Sequence, residues 1–325
     1  MRRLLLADIG GTYARFALAA GRTIGPIWST EVGTRPDVKD AIGDFLKTEG
    51  QQAEIDGALL ATAGPVQGGR CQLTNAAWIV DEEEIANAFA IPWVRVVNDL
   101  EAVAAGLADL PSEQTRLIGS GTGIPGAPMA IVAPGTGLGM ACLFPGPGGR
   151  CVLPSEGGHA TLAGVDEPSD AVIAFLRRRF GRASAERILS GPGLSNLHQA
   201  ILSLQGGASS IRKPGEITAS AFDGSSAACR LAVDMFCAFL GAVAGDVALM
   251  FGARGGVFIG GGVVPRFVEH LSRSAFRQQF EAKGRLEPYV ARIPTRVILH
   301  PNPAFVGLIS LAEAARTLRR SHIAV

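Results

Sequence analysis

The sequence predicts an α/β protein of two lobes, and three observations carry that prediction. Apolar runs of strand length alternate with stretches of helical spacing along the chain. A strand, glycine turn, strand pattern occurs at Asp8 and again at Pro134, 126 residues apart, as a duplicated hairpin-bearing domain would show it. The 325 residues suit one large or two medium domains, and no Ser- or Pro-rich linker divides them, so the lobes are expected to be packed rather than tethered.

The elements follow in order. Leu4–Ala7 is an apolar run ended by Asp8-Ile9-Gly10-Gly11-Thr12, and Ala14–Leu18 returns as the second strand of a hairpin. Asp37–Glu49 and Asp81–Phe89 have helical spacing. Gly57–Ala63 and Trp93–Val97 read as strands, the first running into Gly64-Pro65 and the second into Asn98-Asp99, with a helix over Leu100–Leu107 directly after. Met129–Ala133, the Pro134–Gly139 turn and Met140–Phe144 repeat the hairpin design. Ser169–Phe180 is a helix whose last turn carries Arg177, Arg178 and Arg179, a solvated basic end suited to the helix dipole. Ser225–Phe251 is a long apolar helix. Asp246 and Gly241, Gly245 and Gly252 within it favour a buried core element over a membrane span. Gly255–Ile259 is a buried strand, Gly260–Gly262 a turn, and Pro265 the start of a further helix. Thr295–Leu299 is the last strand and Gly307–Arg319 a closing helix. Crossings between lobes are expected near Leu107–Gly119 and His300–Pro303, giving a small domain of residues 1–108 plus 300–325 and a large one of 109–299.

Composition excludes several classes of function. With 47% hydrophobic and 18% charged residues the chain is neither disordered nor fibrous. Thirty Lys and Arg against 29 Asp and Glu leave no global field to hold nucleic acid or an anionic membrane, so the expected partner is a small molecule. The five scattered cysteines form no Cys-x-x-Cys pair and read as reduced core thiols of a cytoplasmic protein. The N-terminal apolar run stops at Asp8, too soon for a signal peptide. Glycine is the unusual component: 42 residues, about 13% against a usual ~7%, which suggests backbone turns working close to a ligand.

Three glycine turns follow apolar strands, an arrangement that gathers backbone amides for phosphate oxygens. No Gly-Lys-Ser or Gly-Lys-Thr occurs, so there is no Walker loop. Gly135-Thr136-Gly137-Leu138-Gly139 opens a strand rather than a helix, against a dinucleotide fingerprint and hence against a dehydrogenase. Asp8, at a strand end inside the first turn, is placed to face a nucleotide's Mg²⁺ through water, or else to cap the turn. Asp99, also at a strand end, could accept a hydroxyl proton, or else cap the following helix. Glu156 and His159, three apart across Gly157-Gly158, can converge on one small polar ligand, as in sugar recognition. Glu186, read alone, is an exposed helix acid before the Ser190-Gly191-Pro192-Gly193 turn.

In this order the motifs Asp-x-Gly-Gly-Thr, Leu-Thr-Asn, Asn-Asp, Gly-Thr-Gly-x-Gly, Glu-Gly-Gly-His, Glu-Arg-x-Leu-Ser-Gly and Gly-Gly-Gly resemble the bacterial glucokinase family of the actin-like sugar kinase superfamily. The resemblance runs from Leu4 to about Gly307. It implies an actin-like, ribonuclease H-like ATPase fold with an interlobe cleft and ATP-dependent phosphorylation of the glucose 6-hydroxyl, in a cytoplasmic homodimer serving glycolysis. Asp99 would be the general base. Asn98, Glu156, His159, Glu186 and Asn75 would bind the sugar alongside it. Ala7, Asp8, Ile9, Gly10, Gly11 and Thr12 would form the first phosphate turn, Gly135, Thr136 and Gly137 the second, and Gly260, Gly261 and Gly262 the nucleotide-side turn, with ATP and Mg²⁺ as cofactors. Two positions depart from the family pattern: Tyr13 where Asn is common and Ala76 where His is common. The Cys-x-Cys-Gly zinc cluster of other members of the superfamily is lacking. Two alternatives stay open, a kinase for another hexose or an amino sugar, and a sugar-sensing binding protein.

Overall fold

The computed structural model describes residues 3–49, 54–73, 76–146, 149–207 and 211–323. The first half of the chain runs β1 (Arg3–Ile9), β2 (Tyr13–Ala20), β3 (Thr23–Ile24), β4 (Trp28–Glu31), α1 (Val38–Thr48), β5 (Ile55–Thr62), β6 (Arg70–Gln72), β7 (Ile79–Asp81), α2 (Glu82–Phe89), β8 (Val94–Asn98) and α3 (Asp99–Ala105). It continues through β9 (Thr115–Ile118), β10 (Met129–Pro134), β11 (Leu138–Gly146) and β12 (Gly149–Ser155). Helices α4 (Glu167–Phe180), α5 (Gly191–Leu204), α6 (Pro214–Phe222) and α7 (Ala227–Phe251) come next. After them are β13 (Gly256–Ile259), α8 (Val268–Leu271), α9 (Phe276–Glu281), α10 (Glu287–Val290), β14 (Thr295–Ile298) and α11 (Pro303–Ile323). The chain divides into two compact units. One comprises Met1–Leu110, Gly146–Val152 and Pro301–Val325, and the other Pro111–Pro145 and Leu153–His300. Gly146–Val152, expected in the larger domain, belongs to the first unit.

The first unit is built on a mixed sheet in the order β3-β2-β1-β5-β8, with β4 also on β2. β1 and β2 form the expected antiparallel hairpin, and β1, β5 and β8 run parallel. These central strands are apolar at nearly every position because both faces are covered. Leu5, Ala7 and Ile9 enter one core with Phe16, Phe45 and Trp78, whereas Leu4 and Leu6 enter another with Phe305 and Leu308 of α11. The period-2 alternation of a strand thus puts Asp8 on the same face as Leu4 and Leu6, the face covered by α3 and α11. Those two helices meet where a Cβ on Gly307 would overlap the Ala102 carbonyl and one on Gly106 would crowd the Gly307 backbone. Two glycines therefore set the helix approach.

The second unit holds β9, β10, β13 and β14, β11 up to Pro145 and the last three residues of β12, in a sheet of order β12-β11-β10-β13-β14-β9. β10 and β11 form the second hairpin, while β13 and β14 lie parallel to β10. Helix α7 has 25 residues, long and apolar enough by composition to cross a membrane. Phe236, Phe239, Leu240 and Val247 are instead packed in this unit's core. A Cβ on Gly241 would strike the Phe276 carbonyl and one on Gly245 that of Phe280, so these glycines admit α9. Asp246 sits on the outer side of α7, paired with Lys283 at 2.6 Å.

Three local expectations differ from the structure. Gly191-Pro192-Gly193 is the first turn of α5 rather than a loop, because the Ser190 hydroxyl accepts the Gly193 N–H at 2.9 Å as an N-cap and proline is tolerated there. Pro265 lies in a 3₁₀ turn, Val264–Phe267, that leads into the four-residue α8 rather than into a long helix. The closing helix begins at Pro303, where the missing proline N–H costs nothing, rather than at Gly307.

Candidate active site

In the first unit the C-terminal ends of β1, β5 and β8 bring together Asp8, Thr62 and Asn98 by parallel register. The Ala63 N–H donates to the Ile9 carbonyl at 2.9 Å, and the Asn98 side-chain amide to the Gly64 carbonyl at 3.1 Å, so the three strand ends are tied together. Asn98 is the N-cap of α3: its Oδ1 accepts the N–H of Leu100 at 3.0 Å and of Glu101 at 3.3 Å. The sequence left the cap open to Asp99. The structure gives it to Asn98 and makes Asp99 the first helical residue. With its oxygen committed to the cap and one amide hydrogen to Gly64, the Asn98 side chain also supports the Asp99 carboxylate.

Asp99 accepts the Leu100 N–H at 2.8 Å through Oδ1. Burial, helped by the negative charge of nearby Asp8, pushes its carboxyl up to about 6 against the lowering effect of hydrogen bonds from the helix N-terminus and Asn98. Asp8 is also raised by burial, with Arg15 opposing: the two are cross-strand neighbours and their charged groups lie 3.4 Å apart. Arg15 thus compensates Asp8, whereas Asp99 is stabilised only by hydrogen-bond donors. Among the described residues no three His, Cys, Asp or Glu side chains form a metal cage.

The first glycine turn is closed by the Gly10 N–H on the Tyr13 carbonyl at 2.9 Å. The N–H groups of Gly11 and Thr12 that follow have no partner among the described residues. Tyr13 projects outward, its hydroxyl 3.5 Å from Glu31. Asn75 lies outside the described residues.

The second unit gathers the other candidates. In the turn after β10 the Gly135 N–H bonds the Gly137 carbonyl at 2.8 Å, and the Gly135 carbonyl accepts the N–H of Gly191 at the start of α5, also at 2.8 Å. The amides of Thr136 and Gly137 are left without a partner among the described residues. After β13, the Gly260 N–H bonds the Val132 carbonyl, and Gly261 has φ +76° with its Cα pressed against the Pro134 carbonyl. The second and third glycine turns are therefore in contact. The third leaves the amides of Gly261 and Gly262 without a partner among the described residues. All three turns thus present two successive free N–H groups, the pattern that binds phosphate oxygens.

Glu156, His159 and Glu186 form one cluster. His159 Nε2 is 3.8 Å from Glu156 Oε2, and its Nδ1 is 4.0 Å from Glu186 Oε1. The Gly157–His159 turn packs so closely that a Cβ on Gly158 would overlap the Leu138 carbonyl. Glu186, which in isolation reads as an exposed helix acid, lies instead in a 3₁₀ turn, Ala185–Arg187. It is about one third exposed and accepts the Leu138 N–H at 3.0 Å. Glu156 is 92% exposed and the freest of the three. The hydrogen bond to Leu138 was invisible to sequence reasoning, which places residues by spacing and cannot see a contact across 48 positions.

Two mixed α/β sheets of this topology are similar in fold to the sugar kinases of the ROK family. A hexokinase of the ROK family from Thermus thermophilus superposes with a TM-score of 0.68 at 18% identity, over 95% of this chain and 97% of that one, a likeness of fold. A family model described as Glucokinase matches residues 5–315. A glucokinase from Paramagnetospirillum magneticum is 42% identical over 95% of this chain and 97% of its own. The crystal structure of a glucokinase from an Antarctic psychrotroph superposes with a TM-score of 0.89 at 33% identity, covering 96% of this chain and 99% of that one. The chain belongs to the glucokinase family.

Proposed function

We propose that the chain transfers the γ-phosphoryl group of ATP to the 6-hydroxyl of glucose, with Asp99 as general base. The observation that carries this reading is the raised carboxyl of Asp99: with a pKa of about 6 it is ionised at neutral pH yet basic enough to take a proton as the new bond forms. In the proposed step the glucose O6 lone pair attacks the γ-phosphorus and the O6 proton passes to Asp99. The bond from the γ-phosphorus to the bridging oxygen breaks, and ADP leaves with that electron pair.

The remaining residues position and neutralise. The open amides of Gly11, Thr12, Thr136, Gly137, Gly261 and Gly262 are suited to the phosphates, since each pair points free donors at one anion. Glu156, His159 and Glu186 offer acceptors and a switchable donor to the sugar hydroxyls, and Asn98, at the strand end beside Asp99, joins them by resemblance. Asn75 belongs to the same reading by resemblance. Mg²⁺, when it arrives with ATP, supplies charge neutralisation on the phosphates, and Asp8 would hold it through water. Cytoplasmic location, a homodimeric state and a place in glycolysis are parts of the proposal that rest on the family resemblance.

A coupled assay of ADP release against glucose, mannose, fructose and amino sugars tests it. Glucose is expected to give the highest kcat/KM. A preference for another hexose would move the assignment to that sugar, and sugar binding without turnover would make the protein a sensor.

A further inference from the structure

At the end of the second unit's sheet where β10 and β13 begin, the chain forms an open cavity of about 550 Å³ lined by Ser120, Gly121, Thr122, Arg254, Tyr289 and Arg292, among others. The glycine turns lie at the other ends of these strands, a separation of about 20 Å along the six residues of β10. We propose that this cavity binds a phosphorylated small molecule, held by its phosphate.

The donors for a phosphate are in place and uncommitted. The segment Gly119–Gly123 is bounded by glycines with φ of +81° and +71°. Between them, the N–H groups of Ser120, Gly121 and Thr122 have no partner among the described residues, and neither do the hydroxyls of Ser120 and Thr122. Backbone hydrogen bonds fix this loop to the two arginines: the Gly123 N–H donates to the Arg292 carbonyl at 3.2 Å and the Ile124 N–H to the Arg254 carbonyl at 2.9 Å. Neither guanidinium pairs with a carboxylate among the described residues, and no Asp or Glu lines the cavity. Lys283 and Arg277 of the same unit, by contrast, pair with Asp246 and Glu281. Two guanidinium groups without a carboxylate, beside three amides without a partner among the described residues, make a concentration of donors suited to an anion.

The volume is larger than one phosphate needs and falls within the range of small-molecule sites, so the ligand carries an organic body. The Tyr289 ring, with the Arg254 guanidinium 5.9 Å from its centroid, gives that body a flat surface. A sugar phosphate and a nucleotide phosphate share this chemistry.

Calorimetry on the full chain tests the site with the catalytic residues saturated by glucose and a non-hydrolysable ATP analogue. Glucose 6-phosphate, ADP and inorganic phosphate are titrated separately. One of the two organic phosphates is expected to bind at a single site at least tenfold more tightly than inorganic phosphate, and to weaken with salt; which of the two does so identifies the source. Arg254→Gln with Arg292→Gln is expected to weaken it at least tenfold while kcat for glucose is unchanged. Arg254→Lys with Arg292→Lys, which keeps the charge but not the two-pronged donors, is expected to fall between. Absence of binding once the catalytic residues are saturated, equal affinity for inorganic phosphate, or native affinity in the Gln pair would each overturn the proposal.

Discussion

The Glu186 carboxylate accepts the Leu138 N–H at 3.0 Å, so an acid of the polar cluster and the second glycine turn share one hydrogen bond. Truncating the three acidic and imidazole residues should therefore not give three equal results. Glu156→Ala and His159→Ala are expected to weaken glucose binding by about 1–3 kcal/mol and leave nucleotide affinity unmoved. Glu186→Ala is expected to weaken both, because Leu138 loses its acceptor. Calorimetric titrations of each variant with glucose and with an ATP analogue distinguish these outcomes.

Asp99→Asn keeps the shape of the side chain and an acceptor for the Leu100 N–H, but it cannot take a proton. Its kcat is expected to fall about 10²–10⁴-fold with the circular dichroism spectrum unchanged. Retention of a third of native kcat would remove Asp99 from the role of base.

The same carboxyl sets the pH dependence. With Asp99 titrating at about 6, kcat/KM is expected to be flat above neutrality and to fall about tenfold per pH unit well below 6. Asp8→Asn removes a negative charge that raises Asp99, so the acid limb should move to lower pH. A limb that stays in place would show that the two carboxylates do not communicate.

Stability should respond in the opposite sense to activity. A carboxyl raised on folding lends stability that is complete below its unfolded value of about 3.8 and is lost as pH rises through about 6. Relative to the native chain, Asp99→Asn is therefore expected to gain about 2–3 kcal/mol at pH 8 compared with pH 4, read from denaturant midpoints. Equal differences at the two pH values would contradict the burial of this charge.

Gly261→Ala places a Cβ against the Pro134 carbonyl at a residue whose φ is +76°, so backbone rather than side chain must yield. The expected cost is about 1–3 kcal/mol of stability, with a raised KM for ATP as the second and third turns separate. Thermal melts and steady-state kinetics check both parts.

The hairpins at Asp8 and Pro134 were legible because uninterrupted apolar runs ending in glycine have few readings, and the parallel central strands of the first unit are apolar on both faces. The helical spacing over Asp37–Glu49 and Asp81–Phe89 corresponds to α1 and α2, whose N-caps are Asp37 and Asp81. At Asn98-Asp99 two good capping residues stand side by side, and only the backbone, extended at Asn98, decides between them. Strands β3, β4 and β9 escaped notice since short strands with exposed residues lack the alternation that reveals a half-buried one. The candidate residues of the cluster were readable by type and order. Their hydrogen bonds, above all that of Glu186, depend on contacts between distant segments and were not.

The close fit of α11 against α3 at Gly307 and Gly106 bears on the order in which a ribosome delivers the molecule. The first unit takes its sheet from the beginning of the chain and one of its two helical covers from the end. While residues up to His300 emerge, Leu4, Leu6, Leu59 and Val97 await Phe305 and Leu308, whereas the second unit already has every segment it needs. The nascent chain therefore completes its later-made unit first, and the helix that carries Asp99 is pinned only after the last turns of the polypeptide have been made.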